Sequence, residues 1–474
     1  MTPVKHRPGN CCEGFSRSEA VRRALAGGRP GSAREWDPRM PVPAGAGIDR
    51  RRFLLGAAGG LVSVYGADRL GLTRRVFADG IAEAASVQGP ASPVLVSVFL
   101  AGGIDGLSLL APTEDPLYRK LRPTLAVSPT AGVPFTEDPR LRWHPAATSF
   151  AKLHDAGKVT VFPGIGYTSP DMSHFTSRHY WEVGANQTAL VTGWMGRYLD
   201  AVGSPTNPLQ GLSLDGEMNP TLATAHNPVA AIDRPEDFSL WLNGVWGEVF
   251  DWTLDSAAAL GGDERHSAEA AIAQVAEAAS EVGIVRQALA PFRDANGNPT
   301  YRSPVTYPTS ADTDLPQRLA GLAAMIAAGL PLRCVALTSD AQFDTHAAQP
   351  HTFDSGLQVI ADAIAAFQAD LEARGIADRV LLQVWSEFGR RAQQNGSNGT
   401  DHGAAGVSML IGARAGGRMV GEWPDLSHLD DNGNQRENVD FRGVYCSLIE
   451  QWFGHDAATV IPDASRFTRY ALLS

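Results

Sequence analysis

From residue 315 onward the chain alternates helix and strand with short links, and this pattern narrows its possible folds more than any other feature. Residues 315–329 are an Ala- and Leu-rich helix, and 333–338 (RCVALT) are a strand. Residues 353–374 are a long helix, and 378–385 (DRVLLQVW) are a second strand. Strands that stay apolar at successive positions bury both faces, and parallel strands joined by helices achieve this. Residues 92–100 (SPVLVSVFL) and 158–162 (KVTVF) have the same continuous apolar character. The expected fold class is therefore α/β, with a doubly wound, mostly parallel sheet. Residues 92–474 are expected to form the main domain. Patterning is less regular over about 190–310, which reads as an insertion or cap over the sheet edge.

The chain has 474 residues, and 44% of them are hydrophobic, enough for a large core. The first 84 residues hold 14 Lys and Arg against 8 Asp and Glu, a net of +6, which leaves −17 for the remainder. A body that acidic excludes nucleic acid and anionic membrane surfaces as expected partners. The four cysteines form no C-x-x-C pair, so neither a structural zinc site nor a disulfide framework is expected. Cys334 and Cys446 sit in apolar strand and helix patterns and read as small buried residues.

Residues 49–55 read DRRRFLL, followed by a Gly/Ala-rich apolar run over 54–67 and an A-x-A cleavage pattern at Ala82, Glu83 and Ala84. This resembles a twin-arginine export signal. The apolar run has 14 residues, short of the roughly 20 a membrane-spanning helix requires, so no stable transmembrane segment is expected. The reading divides the N-terminal region into an extension over 1–48 and a signal over 49–84. It implies the twin-arginine export machinery as a partner and a periplasmic, cell-envelope or extracellular location.

Polar residues follow the apolar strands in a regular way. The first strand leads into Gly102, Gly103, Ile104 and Asp105; the 158–162 strand is followed by Ser173, an expected helix N-cap, and by His174, Arg178 and His179. The 333–338 strand leads to Asp344 and His346, and the 378–385 strand to Ser386, Glu387, Phe388, Gly389 and Arg390. Asp401 and His402 follow one Asn/Gly/Ser-rich loop later. Parallel strands all point the same way, so these groups converge at one edge, where open α/β sheets place their sites. Gathered carboxylates repel unless they are protonated or bound to cations. Asp, Glu and His together form the ligand set of divalent-metal hydrolytic sites. The expected metal ligands are Asp105, Asp344, His346, Glu387, Asp401 and His402. The expected ion is zinc, manganese, magnesium or calcium, with one or two bound. Ser173 or a metal-activated water is the expected nucleophile, and His174, Arg178 and Arg390 are expected to neutralise an anionic group. His144, His179 and His351 are secondary candidates. Trp194, Trp241, Trp246 and Trp252 are candidates for a cleft wall, with core packing as the alternative.

The segments GGIDG, SHFTSRHYWEVG, GWMGRYLD, FDTH, SEFGR and GTDHG, in this order behind a twin-arginine signal, resemble the domain-of-unknown-function 1501 family. That family is grouped with the alkaline phosphatase and sulfatase superfamily, which implies a doubly wound sheet holding divalent metals. By resemblance, Asp105 is the acidic ligand after the first strand, Ser173 the helix-capping nucleophile, and Asp344 with His346 the paired Asp and His ligands. Ser386 to Gly389 resembles the superfamily's SDHG segment, and His402 its final histidine. Here SDHG reads SEFG, so Phe388 stands where the superfamily has a ligand histidine. Sixty-eight positions separate Asp105 from Ser173, more than the superfamily places between first acid and nucleophile, and no sulfatase C/S-x-P-x-R segment surrounds Ser173. Two functions follow as expectations. One is an exported metal-dependent hydrolase of phosphate or sulfate esters, acting on a small anionic ester or glycan. The other is a non-catalytic envelope protein of the same fold that binds a glycan, a metal or a protein.

Overall fold

The computed structural model describes residues 62–65, 81–86, 92–237, 256 and 283–474. The expected extension over 1–48 lies outside these residues, as do most of the expected signal and Trp241, Trp246 and Trp252. The central sheet contains β1 (Val62–Tyr65), β2 (Val94–Leu100), β3 (Val159–Gly166), β4 (Gly211–Ser213), β5 (Val229–Ile232), β6 (Cys334–Ser339) and β7 (Val380–Trp385). A hairpin, β8 (Gly389–Gln394) and β9 (Thr400–Gly403), precedes the last two sheet strands, β10 (Gly406–Ile411) and β11 (Val439–Asp440). The strand order across the sheet is β1-β5-β4-β6-β2-β7-β10-β3-β11. Among the described strands of this sheet only β1 and β10 run against the common direction. The carboxyl ends of β2, β3, β6 and β7 therefore face one side.

Helices that clothe this sheet include α1 (Pro116–Leu121), α2 (Thr148–Asp155), α3 (His174–Val183), α4 (Trp194–Val202), α5 (Leu315–Ala327), α6 (Gln349–Ala373) and α7 (Phe441–Gln451). The period of two along β2 divides its side chains between two cores. Val94, Val96, Val98 and Leu100 pack with Leu319 and Leu322 of α5, Phe353 and Ile360 of α6, and Phe150 of α2. Leu95 and Phe99 face Trp181 of α3, Trp194 of α4 and Tyr445 of α7. Both sheet faces are covered, which is why β2 and β7 read as unbroken apolar runs. Cys334 and Cys446 are buried free thiols, and Trp194 is fully buried, stacked on Tyr445. Among the described residues no helix is long and apolar enough to cross a membrane.

Two stretches differ from the sequence reading. Residues 190–237, read as the start of a cap, supply α4 and add β4 and β5 to the sheet itself. The sequence offers a possible strand within residues 205–215, where β4 lies, whereas β5 has four residues, too few to show a period. The stretch read as a loop after Arg390 is the β8–β9 hairpin, whose mixed polar sequence hides its pairing.

The turn after β2 depends on glycine. Gly102 and Gly103 have φ of +106° and +71°, a region L-residues with side chains rarely adopt. A Cβ on Gly102 would lie 2.3 Å from the backbone nitrogen of Asp344. We expect Gly102→Ala to cost on the order of 2–4 kcal/mol in urea unfolding, because both the backbone angle and a backbone contact must give way.

Candidate metal centre

Four segments meet at the carboxyl edge: the turn after β2, the start of α3, the loop after β6, and the β7–β9 region. Ser173 caps α3, accepting from Thr176 N at 3.5 Å, and this fixes His174 as the first helical residue. The loop after β6 presents Asp344 and His346, and β9 presents His402. One donor atom each from His174, Asp344 and His402 lies within 4.8 Å of the others.

The imidazoles are oriented by what holds their Nδ1 atoms. His174 Nδ1 donates to Glu387 Oε1 at 2.7 Å, His402 Nδ1 to the Met172 carbonyl at 2.8 Å, and His346 Nδ1 to Asp401 Oδ1 at 3.3 Å. These partners only accept, so each Nδ1 carries the proton and each Nε2 is left to face Asp344. The Nε2 atoms of His346 and His402 lie 3.0 and 3.2 Å from Asp344 Oδ1, and His174 Nε2 lies 3.5 Å from Oδ2. His346 and His402 approach each other Nε2 to Nε2 at 3.1 Å.

This arrangement fits a divalent ion. Ligands about 2.0–2.1 Å from a tetrahedral ion are separated from one another by roughly 3.3 Å, and each imidazole Nε2 stands 3.0–3.5 Å from an Asp344 oxygen, close to that edge. His174 Nε2 is buried and makes no hydrogen bond, which leaves its lone pair open to an ion beside the Asp344 carboxylate. An acceptor on Nδ1 of each ligating histidine is the usual support of such sites.

Charge within the cluster follows from the same contacts. Burial alone would raise the Asp344 pKa, but the imidazoles of His174, His346 and His402, with Arg390, hold it far below the usual carboxylate range. Burial disfavours the charged form of His174, yet Asp344 and Glu387 outweigh it and lift its pKa to about 9. His346 is also raised, chiefly by its hydrogen bond to Asp344. A proton and a metal compete for the same Nε2 lone pair.

Other residues expected at the site hold different positions. Glu387 is 2% exposed, and its oxygens accept from Gly102 N (3.0 Å), Gly103 N (3.1 Å) and Ser386 Oγ (3.0 Å) as well as from His174. It orients a donor and presents no oxygen to the cluster. Asp401 does the same for His346. Arg390 is buried and donates to Asp344 Oδ1 (2.7 Å) and to the carbonyls of Gly102, Gly103, Phe343 and Thr400, so its guanidinium is spent on joining the loops. Arg178 pairs with Glu182 at 2.8 Å and lies over the Phe99 ring. Asp105 is taken by Arg122, Ser108 and Gln349. His144 lies 3.5 Å from Asp354, His179 binds the Gln187 carbonyl, and His351 is exposed in the first turn of α6; none of the three joins the cluster. His174 was read as an anion partner and stands among the donors. Arg122 and Gln349 were not singled out, since neither belongs to a motif.

Residues 183–440 match the family model described as "Protein of unknown function (DUF1501)", more than half of the chain, and the protein belongs to that family. No curated protein sequence matches the chain. Solved structures with a similar arrangement include the lipoteichoic acid synthase LtaP from Listeria monocytogenes, at 7% identity and TM-score 0.35, covering 80% of this chain and 79% of that one. The C-terminal periplasmic domain of EptC from Escherichia coli, in complex with Zn, is similar at 8% identity and TM-score 0.34, covering 79% and 88%. The phosphonate monoester hydrolase SpPMH from Silicibacter pomeroyi is similar at 14% identity and TM-score 0.33, covering 80% and 75%.

Two outcomes test this geometry. Glu387→Gln should weaken zinc or manganese affinity about 10–100-fold by calorimetry, because an orienting carboxylate is lost while the three imidazoles and Asp344 remain. The second concerns Asp105. Burial would raise its pKa, but Arg122 holds it below the ordinary 3.8. A depressed carboxylate contributes stability above its unfolded pKa and loses it as pH falls through the folded value. Asp105→Asn should therefore cost on the order of 3 kcal/mol at pH 7 in urea unfolding, and the deficit should shrink once pH drops below that range.

Proposed function

We propose that this protein is an exported, metal-dependent hydrolase of phosphate or sulfate esters. One observation carries the reading: three imidazoles with anchored Nδ1 atoms turn their Nε2 atoms onto a single carboxylate. His174, Asp344, His402 and His346 would hold the ion. Such an ion supplies a Lewis acid able to polarise an ester oxygen and to activate water. Neutral imidazoles and one carboxylate leave a divalent cation with net positive charge, which favours an anionic ester over a neutral one. His346 is the most exposed member of the set, so substrate approaches from its side. Ser173 stands at the positive end of α3 beside His174, where the helix dipole favours an anion. Export rests on the paired arginines and apolar run of residues 49–67.

A second reading, a non-catalytic binding protein, is favoured by a different observation. Arg178 and Arg390, the expected anion partners, are committed to internal acceptors. The two readings separate on metal content and turnover. Elemental analysis of the wild type should find near-stoichiometric zinc, manganese or calcium. Asp344→Ala and His402→Ala should lose it, and hydrolysis of 4-nitrophenyl phosphate or sulfate should fall about 100-fold or more. A folded wild type that stays metal-free when supplied with these ions would overturn the hydrolase reading. Bound metal without turnover would favour the binding protein.

A further inference from the structure

The sheet edge gathers four carboxylates, Asp105, Asp344, Glu387 and Asp401, and each has a different source of compensation. Glu387 is filled by two backbone N–H groups, the Ser386 hydroxyl and His174. Asp401 is half-exposed and joined to His346 and Asn395. Asp344 alone faces the three Nε2 atoms. Asp105, at the end of the central strand β2, is compensated by a permanent cation.

That cation is Arg122. Both residues are buried, at 0% and 1% exposure. The guanidinium grips Asp105 with both terminal nitrogens, Nη2 at 2.9 Å from Oδ1 and Nη1 on Oδ2. Its remaining donors are used by the carbonyls of Ala392 and Arg391, each at 3.0 Å, and by Ser108 Oγ at 3.1 Å. Asp105 Oδ2 also accepts from Ser108 Oγ (2.7 Å) and Gln349 Nε2 (2.6 Å). Three donors therefore share Oδ2 and Arg122 Nη2 holds Oδ1, so neither oxygen of Asp105 is without a donor. A bidentate, buried guanidinium–carboxylate pair is not displaced by a hydrated cation without leaving Arg122 charged and unpaired.

We infer that the edge holds one divalent ion, not two, and that Arg122 supplies at Asp105 the positive charge a second ion would bring. The inference rests on the metal reading above. It makes Asp105 and Arg122 a structural pair outside the donor set; Gln349, which donates to Asp105, accepts at Oε1 from the hydroxyls of Thr345 (3.0 Å) and Thr400 (2.7 Å) and touches no donor atom.

The test is metal stoichiometry, read by elemental analysis and by calorimetric titration of the full chain with zinc or manganese. Wild type should bind one equivalent. Asp105→Asn, checked for folding by circular dichroism, should also bind one equivalent, without the 10–100-fold loss that follows removal of a ligand-orienting group. Two equivalents in the wild type would overturn this inference and leave the metal reading standing. So would loss of the ion from a folded Asp105→Asn variant. No equivalents would overturn both. The wild-type titration needs no variant and decides the question even where Asp105→Asn does not fold.

Discussion

A buried carboxylate in a backbone cradle underlies this architecture. Glu387 leaves the end of β7 and enters the turn after β2, where two successive peptide N–H groups close on it. An ionised group at this depth is tolerable only when every lone pair is met. The cradle needs the left-handed backbone of Gly102 and Gly103, and the bare Cα of Gly102 lets the Asp344 backbone settle against it. The fourth contact reaches His174 on a different helix. One side chain thus joins two strand ends, a helix start and, through Gly102, the loop bearing the acidic donor.

Arg390 is the complementary cation. Its planar fork meets carbonyls from the turn after β2, the loop after β6 and the start of β9, and also the Asp344 carboxylate. A lysine could not span these acceptors at once. The two locks explain the composition of the edge. Several residues that look like ligands hold other residues in place, and few are free to meet a substrate.

The sequence made the framework legible because both-face burial leaves unbroken apolar strands, and short links fix their common direction. Asp344, His346 and His402 come together for that reason, as residues beyond strand ends on one edge. Roles were harder to read. Glu387 and Asp401 looked like ligands because a carboxylate's partners are not written beside it, and Asp105 meets Arg122 seventeen residues away through a fold contact. His174 reads as an anion partner from the sequence, since only the geometry shows that Glu387 takes one nitrogen and turns the other inward. The strand β5 was too short to carry a period, and the β8–β9 hairpin hid behind Asn, Gly and Ser.

The donors come from positions 174, 344, 346 and 402, carried by a helix, a loop and a hairpin. No contiguous fragment containing fewer than these 229 residues can assemble the four. Closing such long loops is entropically expensive, and the sheet must bear that cost before any ion arrives. A partly synthesised or half-folded chain offers scattered histidines and no chelate. On the proposed reading, ion capture would be a late event that marks the finished fold, and a captured ion would in turn hold the chain in that state by mass action.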